Sequence, residues 1–268
     1  MGLSINNNLE AFNAHRSLTL NSLRLSKSME KLSSGLRINR AADDAAGLGI
    51  SERLRGQIRG IEQASRNAQD GISLVQTAEG SLQEISSILQ RVRELAVQYE
   101  NGVYGAESRA AITAEVTQLE AEVTRMIAGA EFNGVSLLAT GTVTLQIGPN
   151  SNASDQMTVT TPNATTAIGT ALSAFSGGNP TLADIDAAIN AISTARGTLG
   201  AVQNRLEYTV NSLGAYQENL MSAESRIRDV DMANEITNMT RLQILQQSGT
   251  AMLAQANSMK SSILNLLE

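Results

Sequence analysis

The chain has 268 residues, 42% of them apolar but only 3% aromatic, with no Trp. That is enough apolar side chain for a core, yet the rings that line most ligand pockets are scarce. A formal charge of -6 without a dense Lys/Arg run excludes duplex nucleic acid as a natural partner, and the absence of Cys removes disulfides, thiolate zinc sites and cysteine nucleophiles together.

The opening MGLSINNNLEAFNAHRS has neither the basic nor the apolar region of a conventional secretion leader, and no run of 18 apolar residues exists that could span a membrane. Leu18, Leu25, Met29, Leu32 and Leu36 then recur at helical spacing and mark an apolar seam. SSGLRINRAADDAAGLGISERLRGQI follows over residues 33–58, crowding Arg37, Arg40, Asp43, Asp44, Glu52, Arg53 and Arg55 among glycines at 35, 47 and 49. Val75, Ala78, Leu82, Ile85, Leu89, Val92 and Ala96 alternate by three and four, which predicts a long amphipathic helix.

Pro149, Pro162 and Pro180 are the only prolines and share one window, so the rest of the chain is free to be helical for long stretches. Inside the window, alternation in TVTLQI and again in MTVT brackets the turn-rich GPNSNAS and predicts a β-hairpin at about 142–161. Thr181, with Asp184 three places on, reads as the start of the next helix. From there every seventh residue is Ile or Leu, at Ile185, Ile192, Leu199, Leu206, Leu213, Leu220 and Ile227, and Ala188, Ala195, Val202, Thr209, Tyr216, Ala223 and Val230 complete the seam. Such a helix is about 65 Å long at 1.5 Å per residue, so its partners must be elongated too. Leu242, Leu245, Gly249, Met252, Ala256, Met259, Ile263 and Leu266 mark a last seam. The fold class expected is mainly α, an elongated antiparallel helical bundle with a small β-hairpin. Both ends carry an apolar stripe with nothing in the chain to cover it except each other.

The candidate chemistry is thin. GLGISE has two glycines of a dinucleotide fingerprint, but Glu52 replaces the third and no strand precedes it, so a helix start or kink is the better reading. Asp43 and Asp44 stand among arginines, which favours ion pairs over a metal site. His15 is the only histidine, and one histidine assembles neither a catalytic triad nor a zinc site. In QRVRELAVQ, Arg91, Glu94 and Gln98 face outward while Leu89, Val92 and Ala96 face the seam, a solvated helix face with charge pairs. Met232, Met239, Met252 and Met259 suit a surface that packs against partners. No enzyme, cofactor or metal is expected.

INNNLEAFNAHRSLTLNSLRLSKSMEKLSSGLRINRAADDAAGLGISERLRGQIRG near the N-terminus, EFNGVSLLA at 131–139, LQIG at 145–148 and ITNMTRLQILQQSGTAMLAQANSM at 236–259 together resemble bacterial flagellin, over nearly all of residues 3–148 and 190–267. The resemblance implies an extracellular filament subunit, a homopolymer for swimming motility, exported unfolded through the flagellar type III channel. It implies an inner domain, D0, of residues 1–43 and 228–268, disordered until assembly, whose contacts run through Leu18, Leu25, Met29, Leu32, Leu242, Leu245, Met252, Met259 and Ile263. It implies a D1 domain over 44–227, holding the hairpin and a short variable region at about 150–182. Arg37, Arg40, Asp43 and Asp44 fall in the family's spoke connector, with SRIRDVDMANE at 225–235 as the returning segment. Arg91, Leu95, Gln98 and Glu115 fall where Toll-like receptor 5 reads many flagellins. Partners implied are an export chaperone at 236–267, a filament cap and hook-filament junction proteins. A junction-type protein shares the terminal helices, but the QILQQSGTAMLAQAN match and the short centre favour flagellin. Glu268 departs from the family's usual ending, adding a carboxylate at a helix C-terminus.

Overall fold

The computed structural model describes residues 8–139, 141–161, 168 and 182–265, with side chains described up to Met259. Among them are five helices: α1 (Leu9–Ser34), α2 (Ala45–Glu100), α3 (Ala106–Gly129), α4 (Leu182–Arg228) and α5 (Met232–Asn265). Strands β1 (Glu131–Phe132) and β2 (Val135–Ser136) form one antiparallel pair, and β3 (Gly141–Gln146) and β4 (Gln156–Thr161) another. The fold is the mainly helical one expected. Thr181, most of the variable region and Leu266 lie outside the described residues. The chain divides into two compact units, one of residues 57–219 and one of residues 1–56 with 220–268.

In the first of these units, the three-and-four alternation of α2 becomes a buried stripe: Val75, Ala78, Leu82, Ile85, Leu89, Val92 and Ala96 are all buried. They pack in common clusters with the α4 heptad positions Ile185, Ile192, Leu199 and Leu206, and Leu213 further along α4 is buried too. α3 closes the bundle with Ile112, Val116, Val123 and Ile127. Strand alternation places Met157, Val159 and Thr161 of β4 inward, in register with Leu145, Val143 and Gly141 of β3. The hairpin is tied to α2 by Asn67 Nδ2, which donates to Gln146 O at 2.9 Å. Its fit depends on small residues beneath it, since a Cβ at Gly60 would stand 2.9 Å from Pro149 Cβ.

The other unit is an antiparallel pair of α1 and α5. The covered face of α1 runs Ala11, Ala14, Leu18, Asn21, Leu25, Ser28 and Leu32, and that of α5 runs Glu235, Met239, Leu242, Gln246, Gly249, Leu253 and Ala256. Both faces alternate by three and four, the signature of near-parallel helix packing. Small residues let the axes approach: a Cβ at Gly249 would lie 3.2 Å from Leu18 Cδ1. Polar bonds fix the register at both ends of the pair. Ser28, 3% exposed, donates to Glu235 Oε1 at 2.5 Å. Asn8 caps α1 through Ala11 N and donates from Nδ2 to Ala256 O at 3.1 Å.

Candidate functional site

Among the described residues the densest charged cluster lies in the segment that joins α1 to α2. α1 ends at Gly35, whose φ of 71° is the left-handed cap that glycine adopts without a Cβ penalty. The chain then runs antiparallel to residues 228–230: Arg37 N donates to Arg228 O at 2.7 Å, Val230 N to Gly35 O at 3.0 Å, and the Arg37 guanidinium reaches Ile227 O. Ile38, 1% exposed, anchors the crossing.

The carboxylates do separate jobs. Asp43 accepts from Arg40 N at 3.0 Å and Asn39 N at 3.2 Å, and pairs with Lys27 Nζ at 2.7 Å. Asp44 caps α2, accepting from Gly47 N at 2.9 Å. A Cβ at Gly47 would stand 2.7 Å from Ile38 Cδ1, so glycine there lets the cap and the anchor coexist. Glu30 accepts from Arg40 Nε and Asn39 Nδ2, each at 2.8 Å. On the returning side, Arg228 pairs with Glu52 at 2.8 Å, and Asp231 caps α5 through the N–H groups of Ala233 and Asn234. Arg37, Arg40, Asp43 and Asp44 are thus all engaged in one crossing. Lys27, Glu30, Arg228 and Asp231 complete it; Lys27 and Glu30 were not singled out from sequence, because the reversal of the chain after α1 brings them to Asp43 and Arg40, and Arg228 and Asp231 lie in the returning segment 225–235.

Hydrogen bonds to Lys27 and to the Arg40 and Asn39 amides hold the Asp43 carboxyl down to about 2. The Arg228 hydrogen bond likewise lowers Glu52, and the Asn234 amide lowers Asp231. A depressed acid stabilises the folded crossing above its unfolded value of about 4 and loses that contribution as pH falls towards its folded value. At neutral pH, amide exchange at residues 39 and 40 is therefore expected to be faster in Asp43→Asn than in the parent. The ratio should fall to one as pH drops towards about 2. A ratio independent of pH would remove the carboxylate from the joint.

A second cluster lies on α2 and α3. Arg91 pairs with Glu94 at 2.9 Å and with Glu115 at 3.0 Å, which together raise its pKa. Gln98 is exposed beside them. Leu95 is not part of that surface: at 2% exposure it is buried with Val92, Ala96, Ile112, Val116 and Ile185, because α3 covers it.

The terminal-helix stripes divide. Leu18, Leu25 and Leu32 lie on the covered face of α1 and Leu242 on that of α5. Met29, Leu245, Met252 and Met259 do not: they are 54%, 44%, 64% and 54% exposed. One partner helix covers one narrow seam, and these positions fall beside it. They join Leu9, Phe12, Leu20 and Leu23 of α1 and Ile236 and Ile244 of α5 as uncovered apolar surface. The backbone of Ile263 is helical, and its side chain lies outside the described residues.

The family model of the bacterial flagellin N-terminal helical region matches residues 5–144, and that of the C-terminal helical region matches residues 182–267. The chain is 51% identical to a flagellin of Halalkalibacterium halodurans, covering 98% of this chain and 99% of the relative. It is 48% identical to the flagellar filament 33 kDa core protein of Treponema phagedenis over the same shares. Among solved structures it is similar to Bacillus cereus flagellin, with 30% identity, a TM-score of 0.48, and coverage of 55% of this chain and 88% of that one. With both helical regions matched in order and relatives aligned from end to end, the chain belongs to the bacterial flagellin family of structural flagellar proteins.

Proposed function

We propose that this chain is the repeating subunit of a flagellar filament, polymerising through its terminal helices to form the extracellular propeller of a swimming cell. The observation that carries the reading is the pair α1 and α5, each with one apolar face covered by the other and a second left open. Two helices alone bury too little to offset the ordering of their backbones. Neighbouring copies that cover the second faces supply the rest, so folding of this unit is coupled to assembly. Contacts repeated head to tail without closure give an open helical polymer. The crossing of residues 35–47 with 227–231 acts as a joint that ties together the two chain segments leading into the terminal pair.

The family supports finer roles. Export occurs unfolded through the flagellar type III channel, and an export chaperone grips residues 236–267 beforehand. Filament cap and hook-filament junction proteins are its neighbours in the assembled flagellum. Arg91, Gln98 and Glu115 form the exposed part of the surface for Toll-like receptor 5, with Leu95 supporting it from below.

Seeded elongation followed by electron microscopy tests the central reading. The full chain is expected to lengthen filament seeds, and a chain lacking residues 1–35 and 235–268 is expected not to. Normal elongation by the truncated chain would end the terminal-helix account.

A further inference from the structure

The dipeptide Asn-Gly occurs twice in the chain, at 101–102 and 133–134. In this dipeptide the backbone nitrogen of glycine has no neighbouring Cβ to shield it, and it can attack the asparagine side-chain amide. The two copies are held in opposite ways.

Asn133 and Gly134 form the corner between β1 and β2, with φ of 50° and 77°. This is the left-handed hairpin turn that Asn-Gly favours, in which ψ sits at about +47°. At that angle Gly134 N points to the side of the Cα–C bond opposite Cβ, away from the amide it would attack. The corner is also pinned, since Leu137 N donates to Ala130 O at 2.8 Å and both Leu137 and Leu138 are fully buried.

Asn101 is the first residue after α2 and is exposed. Its φ is not left-handed. Its Oδ1 accepts from Val103 N at 3.1 Å, a turn that folds the side-chain amide back over the Asn101–Gly102 peptide. The same Val103 N–H is placed to stabilise negative charge developing on Oδ1 during attack. Val103 is 87% exposed and the space around Gly102 is open, and the backbone bonds at Asn101, from its own N to Gln98 O and from Tyr104 N to its O, are both long at 3.3 Å.

We propose that Asn101 is a self-modifying site at which this protein converts asparagine to aspartate and isoaspartate, while Asn133 is protected by its turn. Gly102 N bonds to Asn101 Cγ and gives up its proton to solvent. The Cγ–Nδ2 bond breaks and ammonia leaves. Water then opens the cyclic imide at one carbonyl or the other, giving the α-linked or the β-linked product, and no reactant besides water is consumed. The product adds a carboxylate directly after Glu100 at the C-terminal end of α2, where the helix dipole disfavours negative charge. The β-linked form also adds a methylene to the backbone between α2 and α3. In a long-lived structural protein the loop would thus carry a record of age.

The test is peptide mass spectrometry of the full chain aged at mildly alkaline pH, folded and in denaturant, with fragmentation that separates isoaspartate from aspartate. Misdirecting an attacking atom costs on the order of tenfold to a hundredfold. In the folded chain Asn101 is therefore expected to convert at least about tenfold faster than Asn133, whereas in denaturant the two converge. Gly102→Ala is expected to slow conversion at Asn101 and leave Asn133 unchanged. Equal rates in the folded chain, a faster Asn133, or no conversion at Asn101 would each overturn the proposal.

Discussion

Leu206→Ala is expected to destabilise the unit of residues 57–219 by about 2 to 5 kcal/mol, the range for removing a fully buried leucine. Leu206 is 0% exposed and belongs to the core shared by α2, α4 and the hairpin. Its surroundings resist collapse into the space. On the α2 side it meets the level of Gly71, where a Cβ would stand 3.4 Å from Leu206 Cδ1, so no side chain there can swing in to refill the gap. The long helices cannot shift locally without disturbing heptad contacts above and below. Domains are commonly stable by only about 5 to 15 kcal/mol, so a loss of this size moves the urea midpoint visibly. Two companions make the result specific. Leu206→Met preserves volume and is expected to cost less than about 1.5 kcal/mol. Tyr208→Ala, two residues away but 77% exposed, is expected to fall within about 0.5 kcal/mol of the parent. If Leu206→Ala behaved like Tyr208→Ala, the heptad seam of α4 would not be the core.

The Ile and Leu positions of that seam are also where sequence and structure agree most closely, for a physical reason, whereas Tyr216, read as part of the same seam, is 45% exposed. A residue repeated every seven places has one face to occupy, and an unbroken run of Ile and Leu leaves no choice about which face it is. The strand alternation of 142–161 is equally direct. Elsewhere the pattern underdetermines the packing. In α5, Leu242, Gly249 and Ala256 form one set and Leu245, Met252 and Met259 another, and both are apolar. Which set meets α1 is decided by small side chains that allow close approach, and by Ser28 finding Glu235. That bond joins residues far apart in sequence, and no local period announces it. Leu95 stands one place off the stripe formed by Val92 and Ala96, and its burial depends on α3 passing over it. The two-residue strands β1 and β2 are too short for periodicity, although Asn133-Gly134 between Phe132 and Val135 is a hairpin signal. At the joint, the crowding of Arg and Asp over 37–44 was visible in the sequence, but the partners Lys27, Glu30 and Arg228 arrive through the reversal of the chain.

The division of α5 into a covered and an open face gives the second large effect. Replacing Leu245 and Met252 together by serine is expected to raise the critical concentration for polymerisation by on the order of a hundredfold, while leaving the folded core of residues 57–219 unchanged. Both residues are already partly solvated, at 44% and 64% exposure, so removing them costs the α1–α5 pair little. If neighbouring copies cover them, each contributes about 1 to 2 kcal/mol of burial, somewhat below the 1.5 to 3 kcal/mol of a side chain buried from full exposure. Together that is about 3 kcal/mol, and every 1.4 kcal/mol is tenfold in an association constant. Leu242→Ser provides the contrast. Leu242 is 6% exposed and packs within the subunit, so its loss should weaken the terminal pair itself, read as reduced helicity at α1 and α5 in the assembled chain. A critical concentration unchanged by the Leu245 and Met252 substitutions would mean that this face meets water in the polymer. The subunit contacts would then run through the exposed α1 residues Phe12, Leu20 and Leu23 instead. Serine at those three positions would then carry the loss, and the two sets of variants together decide which helix presents its open face to its neighbours.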